Sequence, residues 1–179
     1  MRRYVGMDLD PRRRPDVIGS AEHLPFRDGV ADTVLCTEVL EHCPDPEAVL
    51  REIARVLRPG GVLVLTTPMC WNLHYEPHDY FRFTRYGLAL LAGRAGLRIV
   101  RVERIGGCFA LCGARLTEVV CKTTARALKW APRLLSRLVV STLYLAMSGV
   151  FLGLSRLLDW VDPTDAIGWF LVARREAAG

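Results

Sequence analysis

The chain has 179 residues, a hydrophobic content of 51% and a formal net charge of +5. That length accommodates one domain with a genuine core and argues against a second full domain. The six cysteines form no CxxC pair and the start, MRRYVGMDLD, turns polar at once, so reduced cytosolic thiols are expected rather than a disulfide framework or a secretory leader.

The apolar excess and the charge share one place. Residues 138–155 (LVVSTLYLAMSGVFLGLS) carry no charge, and 119–158 hold six Lys or Arg with no Asp or Glu. These basic residues alternate with Leu, Val and Trp instead of clustering. The pattern suits a membrane surface or an acidic partner better than nucleic acid.

In chain order, the first two thirds alternate short apolar runs with helical patterns, which predicts an α/β sheet with crossover helices. Tyr4–Leu9 reads as a strand ending in acid, Asp16–Gly19 as a short second strand, and 21–29 as a turn-rich link. Asp32–Thr37 reads as a third strand buried on both faces by its continuous apolar run. Pro46–Leu57 places Ala48, Val49, Ile53, Val56 and Leu57 on one helical face, with Asp45 as cap and Pro59-Gly60-Gly61 as the stop. Val62–Thr67 is the fourth strand. The polar-aromatic segment 69–83 is a long loop, of a kind that is usually functional or mobile. Thr84–Ala95 is a capped helix closed by Gly96, and Leu97–Ile105 a fifth strand. Two helices near 108–130 and 133–158 follow, with Pro132 between them. A turn over 159–165 and a last strand, Gly168–Ala173, complete the pattern.

Four consecutive stretches carry a family resemblance: YVGMDLDP, GSAEHLPFRDGVADTVLCTEVLEHC, DPEAVLREIARVLRPGGVLVLTTP and DYFRFTRYGLALLAGRAGLRIVRV. Each is weak alone, but in this order and spacing they resemble the class I S-adenosylmethionine-dependent methyltransferases, in particular the small type 11 enzymes. GWFLVARR is similar to that family's final antiparallel strand. The resemblance implies a Rossmann-like α/β sheet that lacks its first strand, with a helical insertion before the last one. Residues 1–107 and 164–176 would form the partial methyltransferase domain, and 108–163 the apolar, basic insertion.

S-adenosylmethionine is the implied cofactor. Asp8, followed by Leu9, would hold its ribose hydroxyls at a strand end, the ligand end of such sheets. Ser20, Ala21 and Glu22 stand at the adenine; the family commonly has Asp where Ser20 is, and a hydroxyl accepts more weakly than a carboxylate. Cys36 and Thr37 would lie under the methionine part. Glu41-His42 is frequent in the family and reads equally as a satisfied helix-start pair. A nicotinamide enzyme would use Asp8 in the same way but would not explain LPFRDGVAD or RVLRPGG.

The family's glycine-rich turn, DxGxGxG, is not supplied by the sequence. Its absence would leave two strands without a neighbour and expose unpaired backbone groups. Two explanations stand: a truncated or misassigned start, or a catalytically silent chain completed by a partner and acting as an interaction module. The six-residue link between Leu9 and Asp16 is too short for a crossover helix, so PRRRPD is expected as a tight loop.

Methyl transfer needs an acceptor held in line with the methyl group, and a hydroxyl acceptor also needs a base. Loop 69–83 offers His74, Tyr75, His78, Asp79 and Tyr80, and His78 and Asp79 are the candidates for the base. No residue is assigned to a metal. The acceptor is expected to be a small, glycan or lipid-linked molecule. Segment 133–158 would pack on the domain, join a homodimer, or lie in a membrane interface with Arg133, Arg137 and Arg156 at the headgroups. A true span is disfavoured by the return of the final strand. The expected location is the cytoplasm, including the inner face of the membrane.

Overall fold

The computed structural model describes residues 4–162 and 164–176. They form two compact units, Met1–Glu103 with Trp169–Gly179, and Arg104–Gly168.

The first unit opens with two short parallel strands, β1 (Met7–Asp8) and β2 (Val17–Ile18), in register Met7 to Val17 and Asp8 to Ile18. They are shorter than the sequence pattern suggests. The link between them is a single 3-10 turn, Pro11–Arg13, in which Asp10 accepts from the Arg12 backbone N–H at 2.9 Å and grips its guanidinium. The tight loop expected from the short spacing is therefore present, closed by Arg14 in the left-handed region (φ 53°).

β3 (Ala31–Thr37), α1 (Pro46–Val56) and β4 (Leu57–Pro68) form a β-α-β unit, β3 pairing parallel with β4. In α1, Asp45 accepts from the Ala48 N–H at 2.9 Å and Pro46 occupies the first turn, where its missing N–H costs nothing. Val49, Leu50, Ile53, Ala54 and Val56 are all buried. The helix stops before the Pro-Gly-Gly triplet expected to end it. β4 begins at once, and residues 58–61 bulge out between the pairings Ala31–Leu57 and Thr33–Val62. Gly60 sits at φ +76°, and a side chain at Gly61 would press on the Arg58 carbonyl at 2.8 Å, so these glycines shape the bulge.

α2 (Arg85–Arg94) is capped by Thr84, which accepts from Gly87 N–H at 3.1 Å. β5 (Leu97–Ile105) and β6 (Gly168–Arg175) complete a four-stranded sheet in the order β3-β4-β6-β5. β5 and β6 are antiparallel, since Ile167 bonds Ile105 at one end while Glu176 bonds Gly96 at the other. The β1–β2 pair forms a separate sheet.

β3 corrects one expectation. Among the described residues it pairs with β4 alone and is an edge strand, and the side chains of one of its faces are largely exposed. Cys36 is buried, whereas Leu35 is 61% exposed. Tyr4, Leu9, Ile18 and Val30 are exposed apolar side chains of the same unit.

The second unit holds α3 (Cys108–Ala127) and α4 (Arg133–Leu158), an αα-hairpin. Gly113, Thr117 and Cys121 line one face of α3 at four-residue spacing and are buried. Gly113 lets the helices touch, because a β carbon there would overlap the Phe151 side chain. The half-buried stripe of α4 is Val140, Leu143, Met147, Phe151 and Leu154, a heptad-like set. Leu134, Leu138 and Val150 of the same helix are exposed. Asp159 closes the hairpin: its carboxylate accepts from the Phe109 N–H at 2.8 Å and from the Ser155 hydroxyl, capping α3 from the far end of α4. Part of the turn expected over 159–165 lies outside the described residues, at 163.

Candidate functional site

The residues assigned to a cofactor follow strand ends. Asp8 closes β1 with its carboxylate half-exposed. One oxygen accepts from Asp10 N–H at 2.8 Å and the other lies 3.5 Å from Arg13 Nε, so lone pairs remain for a hydroxyl. Leu9 beside it is 71% exposed. Ser20 uses its hydroxyl to accept from Glu22 N–H at 3.2 Å, which orders the turn through Ala21. Glu22 is spent elsewhere: Oε1 accepts from Asp45 N–H at 2.8 Å and ties the link to the start of α1. The rest of that link is held by the same helix. Glu52 accepts from Leu24 N–H at 2.8 Å, while Arg55 donates to the carbonyls of Leu24 and Phe26 and to Asp28. Cys36 is buried, and desolvation pushes its thiol up to about 12, so it stays protonated and acts as packing. Thr37 ends β3 exposed. An accessible carboxylate thus stands at one strand end, beside an ordered Ser-Ala-Glu turn.

A second group of side chains gathers past the ends of β3 and β4. Directly after β3 the chain turns through Glu38, at φ 52°, whose N–H bonds the Thr66 carbonyl at 3.0 Å. A 3-10 turn, Leu40–His42, follows. It buries Glu41 completely and leaves His42 partly exposed. Glu41 Oε2 accepts from the Thr67 hydroxyl at 3.1 Å, whereas Oε1 is buried with no hydrogen-bond partner. Burial pushes this carboxyl up. The loop 69–83 is strapped over the turn, since Tyr80 and Phe81 both donate N–H to the Glu41 carbonyl at 2.9 and 3.2 Å.

That loop brings His74 against His42, with ring centroids 4.7 Å apart and edge to face. His42 Nδ1 lies 2.6 Å from the His78 carbonyl, and His74 Nδ1 lies 3.0 Å from the Asn72 carbonyl. A carbonyl only accepts, so both Nδ1 atoms donate. The two candidate bases separate. His78 presents an exposed ring whose Nδ1 meets the Tyr80 hydroxyl at 2.8 Å. Asp79 is buried, takes both oxygens to Arg82 at 2.6 and 2.8 Å, and accepts from His74 N–H at 2.9 Å. The Arg82 guanidinium holds its carboxyl well below the usual range, which makes Asp79 a poor proton acceptor and a strong loop clamp.

Sequence reading placed His74 in the loop and Glu41-His42 at a helix start, but it did not join them. Among the described residues Glu41, His42 and His74 each present a donor atom within 4.8 Å of the others. The available signal was an acid-histidine pair just past a strand together with a histidine in the long loop after the next strand.

Residues 2–65, which include Asp8, the Ser20 turn, the Glu41-His42 pair, α1 and most of β4, match the family model described as a methyltransferase domain. The match covers residues 2–65 of 179, about a third of the chain, and there the chain is similar to a methyltransferase domain. The chain is 41% identical over 73 residues to an "uncharacterized methyltransferase" of Mycobacterium sp. strain JLS, across 35% of this chain and 29% of that protein. Over 54 residues it is 52% identical to the demethylmenaquinone methyltransferase of Mycolicibacterium paratuberculosis, across 30% of this chain and 24% of the relative. The matched stretch thus spans less than a third of either curated relative. Among solved structures the cyclase SpnF superposes with a TM-score of 0.56 at 18% identity, over 94% of this chain and 60% of that one, a likeness of fold alone.

Proposed function

We propose that the chain transfers a methyl group from S-adenosylmethionine to a small, lipid-linked or glycan acceptor. The observation that carries this reading is Asp8, an accessible carboxylate at the end of β1 inside the stretch that matches the family. When bound, the cofactor supplies a sulfonium-activated methyl group. Asp8 would accept hydrogen bonds from its ribose hydroxyls, and the turn at Ser20, Ala21 and Glu22 would border its adenine. Thr37, exposed at the end of β3, would lie toward its methionine part, over the buried Cys36. The chain's task is then to position the acceptor. His78 suits the proton-accepting role better than Asp79, because its ring is exposed and hydrogen-bonds the Tyr80 hydroxyl rather than a guanidinium. The demethylmenaquinone methyltransferase relative bears on the lipid-like acceptor class by its name alone.

The hairpin supports a membrane-interface role. α4 is a 26-residue helix with a mean hydropathy of 1.8 over its most apolar window, long and apolar enough to cross a membrane. Charges on α3 at Arg115, Glu118 and Lys122 favour an interfacial position over a span, because a bilayer core disfavours them. Trp130 and Trp160 flank α4 and are 87% and 74% exposed, the placement of aromatic residues at a lipid–water boundary.

A second reading, a non-catalytic interaction module, draws on the open edge of β3 and its exposed Leu35. Calorimetric titration with S-adenosylhomocysteine separates the two. Micromolar binding that Asp8→Ala abolishes supports the enzyme, and a folded chain that takes up no ligand supports the module.

A further inference from the structure

We propose that Glu41, His42 and His74 form a binding site for a first-row divalent cation of the zinc or cobalt type. Three features converge on it. The carboxylate is in place: Glu41 is fully buried, and its Oε1 has no hydrogen-bond partner although Oε2 is satisfied by Thr67. A buried acceptor left open is costly unless something positive meets it.

The second feature is the tautomer of the two rings. His42 spends Nδ1–H on the His78 carbonyl, which leaves the lone pair of a neutral ring on Nε2. That Nε2 lies 3.7 Å from Glu41 Oε1. Two acceptors facing each other at that distance repel unless a proton or a cation lies between them. It is also close to the separation of two donors that share one metal at about 2 Å each. His74 likewise holds Nδ1 on the Asn72 carbonyl, with Asp79 Oδ2 3.4 Å away, which leaves the lone pair of a neutral ring on Nε2.

The third feature is the outer support. Metal-bound histidines usually donate their second N–H to a carbonyl or carboxylate, which fixes the ring and raises its basicity. Both rings have such a partner here, and Asp79 is itself clamped by Arg82. Two imidazoles and one carboxylate favour zinc, cobalt or iron over magnesium or calcium, which prefer all-oxygen shells. Three protein donors leave a coordination position open, and the natural occupant is the oxygen of water or of a hydroxyl ligand. That the acceptor's hydroxyl fills this position rests on the methyl-transfer reading; the metal site does not.

The test uses the full chain, freed of metal by chelation and titrated separately with Zn2+ by calorimetry and with Co2+ by visible absorption. One equivalent should bind, with cobalt ligand-field bands in the visible. His74→Gln and His42→Gln should weaken binding by at least about tenfold, and His23→Gln, an exposed histidine elsewhere, should not change it. Circular dichroism of each variant separates a lost ligand from a lost fold. His74 lies in a loop, so His74→Gln remains informative even where Glu41→Gln fails to fold. Absence of stoichiometric binding, or binding that His74→Gln and His42→Gln leave unchanged, overturns the site. Titration of the metal-free protein with S-adenosylhomocysteine keeps a failure of the cofactor reading distinct from a failure of the metal site.

Discussion

Trp169 donates its indole N–H to the carbonyl of Phe83 at 3.0 Å, a buried hydrogen bond across 86 residues of sequence. It ties the start of the last strand to the end of the long loop that carries His74, His78 and Asp79. Phe83 also donates its N–H to the Pro68 carbonyl at 3.2 Å, so the loop is pinned at its root. Trp169→Phe keeps most of the ring and removes the donor. It should cost about 1–3 kcal/mol through the unsatisfied carbonyl, read as a lower urea midpoint with an unchanged slope. Histidine resonances of His74 and His78 should broaden or shift in the same variant, while that of His23 stays in place.

Gly113 sets the spacing of the αα-hairpin, since any β carbon there would overlap Phe151. Gly113→Val should destabilise that unit by about 1–3 kcal/mol through overpacking. Hydrogen exchange checks this locally. Amides of α3 and α4 should lose protection, whereas those of α1 and β4 keep theirs.

The link between β2 and β3 is fastened through Glu52, which holds Leu24 N–H and the Arg55 guanidinium. Arg55 holds this carboxyl below its ordinary range. A depressed folded value means the stabilisation is fully present above the ordinary carboxylate range and is lost as pH falls through the folded value. Glu52→Gln should therefore be less stable than the parent at neutral pH, with the difference shrinking toward about pH 3. Denaturant midpoints of the pair along that pH series decide it, and a gap that stays constant with pH would rule the mechanism out.

Leu35 is exposed on an edge strand, the arrangement that templates pairing with another chain. The protein should self-associate with rising concentration, and Leu35→Lys should reduce that association without lowering the thermal midpoint by more than a few degrees. Sedimentation velocity over a concentration series is the measurement.

Leu138 and Leu145 are 64% and 70% exposed on α4. If the hairpin rests in a lipid surface, the chain should bind anionic liposomes at low salt. Leu138→Glu with Leu145→Glu should weaken that partition by about tenfold or more, since each buried leucine contributes about 1.5–3 kcal/mol. Co-flotation with vesicles reads the result, and equal flotation of parent and variant would exclude this face.

Much of the order of elements was legible in the residues themselves. Asp45 and Thr84 cap the helices that the pattern predicts, and the short PRRRPD link folds as a tight turn because nothing longer fits. These are local decisions, made by side chains that bond their own neighbours within a few positions. α1 ends one residue before the expected Leu57, and what the pattern missed is the start of β4, where Pro59-Gly60-Gly61 forms a bulge instead of a loop. The apolar run of β3 says that it is a strand, yet the number of its covered faces depends on what packs above and below the sheet. The stripe of α4 that meets α3 likewise depends on where Gly113 allows contact.

The sequence by itself determined the family resemblance, the strand-ending acid at Asp8 and the caps, because each is written in residues near one another along the chain. The tertiary structure decided which polar groups share a site. It separated His78 from Asp79 by giving Arg82 to the acid, and it joined Glu41 and His42 to His74 across a loop. Adjacency in sequence does not fix the direction of a side chain; burial and the nearest available hydrogen-bond partner do.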